Sequence, residues 1–161
     1  MHNRHLAKMI YIMRWARSHN PHLIVVIENP VGSLRDMPIM KDFMEEFDLA
    51  SPVKVNYCTL GRLDHKPTYL WTNEIGLRGM LAKFTCRKET CEYHGKKHPD
   101  SVQGHLREFN VAAIPKSLAE TVAHYVDSRF FLDGHHNKKP VILTKEQIYE
   151  FNKHMTDVAD E

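Results

Sequence analysis

Along residues 4–18, Leu6, Met9, Ile10, Met13 and Ala16 recur at helical spacing with Trp15 beside them, which predicts an amphipathic helix packed on a sheet. Asn20-Pro21 ends it, because a residue before proline is pushed out of the helical region. The apolar, β-branched run that follows lacks alternation and predicts a strand at 22–27 with both faces covered, stopping at Glu28-Asn29-Pro30. Met40, Phe43, Met44 and Phe47, at intervals of three and four, predict a core-facing helix over 37–48. Ser51-Pro52 introduces a strand at 53–59, and a second strand at 67–72 follows a short loop containing Gly61, Arg62, Asp64, His65 and Lys66. Strands this close in sequence pair most easily as an antiparallel hairpin. Tyr69 and Trp71, alternating around Leu70, read as packing residues, with base stacking as the alternative. Residues 74–110 are polar, histidine-rich and read as irregular. Pro115 opens a helix to about Tyr125, with Leu118, Val122 and Tyr125 on one face, and the capping box Thr144-Lys145-Glu146-Gln147 predicts a short helix over 145–155. The fold class expected is α/β.

Composition adds class limits. With 161 residues, 42% hydrophobic and 26% charged, the chain is an ordinary globular sequence rather than a disordered one. A chain of this length can bury roughly 68–70% of its unfolded surface and needs no disulfide framework. No apolar stretch approaches about 18 residues, so no membrane span is expected. Three cysteines without a signal sequence favour an intracellular, reducing compartment. A net charge of +2 does not by itself indicate a nucleic-acid partner, although twelve histidines add positive charge below neutrality.

Two constellations carry candidate chemistry. Glu28 sits at the carboxyl end of a strand, and in open α/β sheets the crevice beyond those ends is where ligands bind. The alternative is a structural carboxylate that caps the next turn or pairs with Arg35. Cys86-x4-Cys91-x2-His94-x3-His98 brings two thiolates and two imidazoles within a short span, enough to close a tetrahedral zinc site and order a loop that has no apolar core. Its alternative is two free cysteines in a polar, nucleic-acid-facing loop. Lys83, Arg87, Lys88, Lys96 and Lys97 in the same stretch suit phosphate contacts, though charge runs are commonly solvated surface.

Glu28, Asn29 and Pro30, followed by Tyr57, Cys58, Gly61, Lys66, Pro67, Thr68, Trp71, Thr72 and Asn73, resemble the DNA cytosine-5 methyltransferases. The likeness is to a phage- and virus-like branch with Glu-Asn-Pro and a YCxxG…KPTxxWTN block. Cys86, Cys91, Gly104 and the run at 112–122 extend it over roughly residues 5–126. The resemblance implies the last strands of a partial Rossmann-like, S-adenosylmethionine-dependent methyltransferase fold, with the Glu-Asn-Pro strand beside the hairpin. It makes 1–126 the C-terminal part of a catalytic domain, 74–110 an irregular target-recognition or zinc-binding insert, and 127–161 an extension.

The resemblance also implies roles. Glu28 would hold N3 of a flipped cytosine, Asn29 and Pro30 would fix the turn that aims it, and Arg62 and Lys66 would contact DNA. Lys66 stands where most of the family has the first arginine of a Gln-x-Arg-x-Arg pattern, with Asp64 for the glutamine and Thr68 for the second arginine. The family's cofactor loop and nucleophile lie upstream of the Glu-Asn-Pro strand. The seven glycines include no Gly-x-Gly pair after a strand, Gly76-Leu77-Arg78-Gly79 being the nearest, and no cysteine follows a proline. The expectation is therefore a fragment, a truncated gene product or one half of a split enzyme, inactive alone, whose partner segment supplies S-adenosylmethionine binding and the nucleophile. The alternative is a non-catalytic, zinc-stabilised nucleic-acid-binding module derived from that family.

Overall fold

A computed structural model describes residues 2–99 and 113–132. They fall into two units, the segment up to Leu23 and the stretch Ile24–Leu132. In the first, α1 (His2–His19) buries Leu6 and Ile10, one turn apart on its apolar stripe, and ends at Asn20-Pro21 as expected. The Asn20 side-chain oxygen accepts the His22 N–H at 3.1 Å and closes the turn after the helix.

The second unit is built on a three-stranded antiparallel sheet of order β1-β3-β2, where β1 is Val26–Pro30, β2 is Val53–Asn56 and β3 is Pro67–Thr72. β2 and β3 pair as the expected antiparallel hairpin, and the Glu-Asn-Pro strand lies on the other side of β3. Two boundaries differ from the sequence expectation. β1 begins later and runs through Glu28-Asn29-Pro30, because β3 is long enough to pair Val26 with Thr72 and Pro30 with Thr68. Pro30, which lacks an N–H, is tolerated as the last residue of an edge strand. β2 stops at Asn56 rather than 59: a 3-10 turn at Tyr57–Leu60 follows, capped by Gly61 at φ 85°, a left-handed conformation that favours glycine.

Register decides which side chains meet. Residues opposite one another across the ladder share a face, so Val26, Glu28, Val53, Val55, Thr68, Leu70 and Thr72 lie together. Val55 and Leu70 join Tyr57, Leu77, Leu81 and Leu118 in a buried core, with Val26, Val53, Leu60, Phe84, Val122 and Tyr125 packed around it. On the other face Trp71 is fully buried and meets Tyr69 edge to face at 5.8 Å, which fits the expected packing role and leaves Trp71 no access to a base.

Helix α2 (Pro38–Glu46) buries Met40 and Phe43, within the expected 37–48. The irregular segment expected at 74–110 is instead helical at its start: α3 spans Ile75–Leu81 and a 3-10 turn continues through Ala82–Phe84. Gly76 and Gly79 disguise it, since glycine disfavours helix, but Leu77 and Leu81 are both fully buried one turn apart. Gly76 admits a close approach by Tyr125, whose side chain would lie 2.9 Å from a Cβ at that position. α4 runs over Lys116–Leu132, after Pro115 and past the boundary expected at 126/127. The helix expected at 145–155 and Gly104 lie outside the described residues. Among the described residues no helix is long and apolar enough to cross a membrane.

Candidate metal centre and carboxylate site

The turn after β2 and the segment following α3 converge on one cluster. Ligand atoms of Cys58, Cys86, Cys91 and His98 all lie within 4.8 Å of one another, so the group could hold a metal such as zinc. Local hydrogen bonds build it. Thr90 Oγ1 accepts the Arg87 N–H at 2.9 Å and donates to the Thr85 carbonyl at 2.6 Å, and Cys91 N–H donates to the Arg87 carbonyl, which folds 85–91 so that both cysteines face inward. Thr59 Oγ1 is within reach of the carbonyls of both Asn56 and Phe84, tying the Cys58 turn to the end of the α3 region. Asn56 Oδ1 accepts the Cys86 N–H at 3.0 Å, while its amide nitrogen lies 2.9 Å from His65 Nε2.

Tetrahedral zinc, with bonds of about 2.3 Å to sulfur and 2.0–2.1 Å to nitrogen, needs ligand atoms roughly 3.5–4 Å apart. His98 Nε2 lies 3.3 Å from Cys91 Sγ and 3.9 Å from Cys86 Sγ, close to that spacing. Three sulfurs and one imidazole would complete four-coordination and leave no open position, the mark of a structural rather than a catalytic site. Of the four ligands expected from sequence, Cys86, Cys91 and His98 are brought together and the fourth place goes to Cys58. His94 Nδ1 lies 3.7 Å from Cys86 Sγ but is outside the mutually close set, and its ring is exposed. Cys58 is hard to find from sequence because it lies in a run that reads as a strand but forms a 3-10 turn. The signal was available as Cys58-x2-Gly61, a turn-forming spacing in a hairpin loop, together with a third cysteine left unassigned.

Burial, reinforced by the neighbouring thiols Cys91 and Cys86, pushes the Cys58 thiol well above the ordinary range, and burial also raises Cys86. A metal must displace these protons, so zinc affinity is expected to fall as pH falls, with proton release on binding. Competition with a chromophoric chelator across pH 6–8 measures this; affinity independent of pH would mean that the thiols are not the ligands.

A carboxylate site adjoins the turn that carries Cys58, through its neighbour Tyr57. Glu28, on β1, accepts a 2.7 Å hydrogen bond from Tyr57 Oη, and Lys66 Nζ stands 4.0 Å from the same oxygen. Lys66 Nζ also lies 4.7 Å from the centre of the Tyr57 ring, which is fully buried. Burial first, and then the hydrogen bond to Glu28, raise the Tyr57 hydroxyl far above its ordinary value, so it is a donor throughout the working pH range. Glu28 keeps about a quarter of its side chain exposed (23%), so it remains open to a ligand while being held. Asn29 Nδ2 donates to the Pro30 carbonyl at 2.7 Å, bracing the end of the strand. The alternative partner, Arg35, instead donates to Tyr69 Oη at 2.7 Å.

Arg62, expected to contact DNA, is engaged within the fold. Its Nε and Nη2 reach the two oxygens of the fully buried Asp64 at 2.6 and 3.1 Å, and Nη1 donates to the Ala113 carbonyl at 2.8 Å. A planar guanidinium spent on three acceptors within the fold is a clamp between the hairpin loop and the segment before α4. Lys66 is likewise buried, at 7% exposure, rather than a solvated loop cation. Gly76 and Gly79, the nearest match to a cofactor loop, lie inside α3; Gly76 faces Tyr125 and Gly79 has open space beside it. No family model, no curated protein and no solved structure matches the chain.

Proposed function

We propose that the chain is the target-cytosine-binding part of a DNA (cytosine-5) methyltransferase, stabilised by a structural zinc ion and completed by a segment that carries the cofactor loop and nucleophile. The observation that carries this reading is the convergence of Glu28 with Tyr57 and Lys66. The two stretches that resemble the family, separated by more than twenty residues, meet at one partly open carboxylate. Outer strands of the Rossmann-like sheet would add along the free side of β1, which is an edge strand among the described residues.

The chemistry asked of Glu28 is specific. Attack of a thiolate at C6 of cytosine pushes negative charge into the ring, and a proton or strong hydrogen bond at N3 accommodates it. Flipping the base into reach costs a few kcal/mol, which phosphate contacts must offset. Exposed Lys83, Arg87, Lys88, Lys96 and Lys97 on and beside the metal-bound loop suit those contacts. S-adenosylmethionine, held by the completing segment, would supply the methyl group. In the assembled enzyme Glu28→Gln is expected to lower methyl transfer by at least about a hundredfold while leaving DNA affinity nearly unchanged. Equal loss of both, in parallel transfer and gel-shift assays, would assign Glu28 a structural role.

A second reading, a non-catalytic zinc-stabilised nucleic-acid-binding module, is favoured by the closed four-ligand cluster, which needs no catalytic partner to order the basic loop. DNA binding by the zinc-loaded chain, with no transfer restored by any completing segment, would select it.

A further inference from the structure

Neighbouring residues of two short segments, 56–58 and 65–66, contact the metal cluster and the carboxylate site in turn. Asn56 supports Cys86, Tyr57 donates to Glu28, and Cys58 is a candidate ligand. In the loop leading into β3, His65 approaches Asn56, and its ring lies 4.9 Å from that of His98, while the next residue, Lys66, stands 4.0 Å from Glu28. The Tyr57 N–H reaches the Lys66 carbonyl at 3.4 Å, at the long end for a hydrogen bond, so the ladder itself is weak at this point. Past Asn56 the regular strand has ended, and Tyr57 and Cys58 belong to a single 3-10 turn. Thr59 Oγ1 ties that turn to the carbonyls of Asn56 and Phe84, Ser117 Oγ donates to the Leu60 carbonyl at 3.3 Å, the Arg62 N–H donates to the Tyr57 carbonyl at 3.2 Å and the Tyr57 ring is buried in the core; the metal cluster adds a further tie at Cys58.

We propose that a zinc ion bound by Cys58, Cys86, Cys91 and His98 holds Glu28 in its base-binding position through Tyr57, making Tyr57 a positioning residue for that carboxylate. This rests on both the zinc site and the role of Glu28 given above. The ion fixes Cys58; the peptide link and the 3-10 turn fix the adjacent Tyr57; and the Tyr57 hydroxyl fixes one oxygen of Glu28, leaving the other for a ligand. Tyr57 also carries Lys66 and Arg62 over its ring, at 4.7 and 5.4 Å, so displacement of the ring would move the cations of the site with it.

The test uses the full chain labelled with ¹³C at the glutamate carboxyl carbons, with the Glu28 resonance assigned by its absence in Glu28→Gln. Zinc is removed with a chelator and returned as Zn(II), and Tyr57→Phe is compared with the wild type while metal content is followed by mass spectrometry. The expected result is a Glu28 resonance that shifts on metal removal, returns with Zn(II), and in Tyr57→Phe is already displaced although zinc stays stoichiometric. Stoichiometric zinc with a Glu28 resonance indifferent to its removal, or to loss of the Tyr57 hydroxyl, overturns the coupling and leaves the metal site standing. Absence of bound zinc overturns the inference together with the metal site. Neither outcome bears on methyl transfer, which the Glu28→Gln assay decides separately.

Discussion

Cys58→Ser is expected to abolish stoichiometric zinc binding and to destabilise the hairpin end of the fold, whereas His94→Ala is expected to retain the metal. The contrast follows from geometry: Cys58 belongs to the mutually close set with Cys86, Cys91 and His98, and His94 approaches only Cys86. Structural zinc contributes about 10–16 kcal/mol of apparent binding free energy in small peptide systems at neutral pH, and binding energy at a site absent from the unfolded chain is folding energy. The stretch Cys86–His98 has few other sources of order. Cys91 is its one buried apolar residue, and its turns are closed by threonine and backbone hydrogen bonds. Replacing one of the three thiolates leaves an incomplete site, and chelation should reproduce the effect in the wild type. Metal content measured alongside thermal unfolding distinguishes the possibilities. Full zinc in Cys58→Ser with loss in His94→Ala would restore the ligand set read from sequence and leave Cys58 as a buried, unligated thiol.

The sheet was legible for a physical reason. Strand β3, the hairpin and the flanking helices are written in apolar residues at periods of two and about three and a half, and the structure follows those periods at Leu70, Val55, Met40 and Phe43. α3 was not legible because two glycines in seven residues outweigh, in a local reading, the burial of Leu77 and Leu81, which only tertiary packing supplies. Glu28 could be found from its place at the end of an apolar run. Its partners could not: Tyr57 reaches it through a register that couples residues across three strands, and that register is set by pairing rather than composition. The metal set was legible where its ligands are close in sequence and illegible where one comes from a distant turn. The intramolecular partners of Arg62 are hidden for a related reason. A basic residue in a loop looks like a surface contact until its carboxylate partner, two residues on, proves to be buried.

That burial makes Arg62→Ala the most disruptive single change expected outside the metal centre. Asp64 is fully buried, and the guanidinium covers both of its oxygens, a bidentate pairing that offsets the cost of desolvating each charge. Removing the arginine leaves a buried carboxylate without that partner and frees the Ala113 carbonyl that Nη1 satisfied. Breaking one side of such a pair costs about 3–5 kcal/mol, a large fraction of the stability of a domain this size. Arg62→Lys should recover only part, because an ammonium cannot span two carboxylate oxygens and the Ala113 carbonyl at once. The double change Arg62→Met with Asp64→Leu should be milder than Arg62→Ala, since it removes the stranded charge and keeps apolar volume. Urea unfolding of the zinc-loaded proteins measures all three. A loss below about 1 kcal/mol for Arg62→Ala would mean that the pair behaves as a solvent-screened surface bridge, and would return Arg62 to the set of cations available for phosphate. In that case its removal should also reduce the salt dependence of DNA binding, a response that a clamp buried in the fold does not produce.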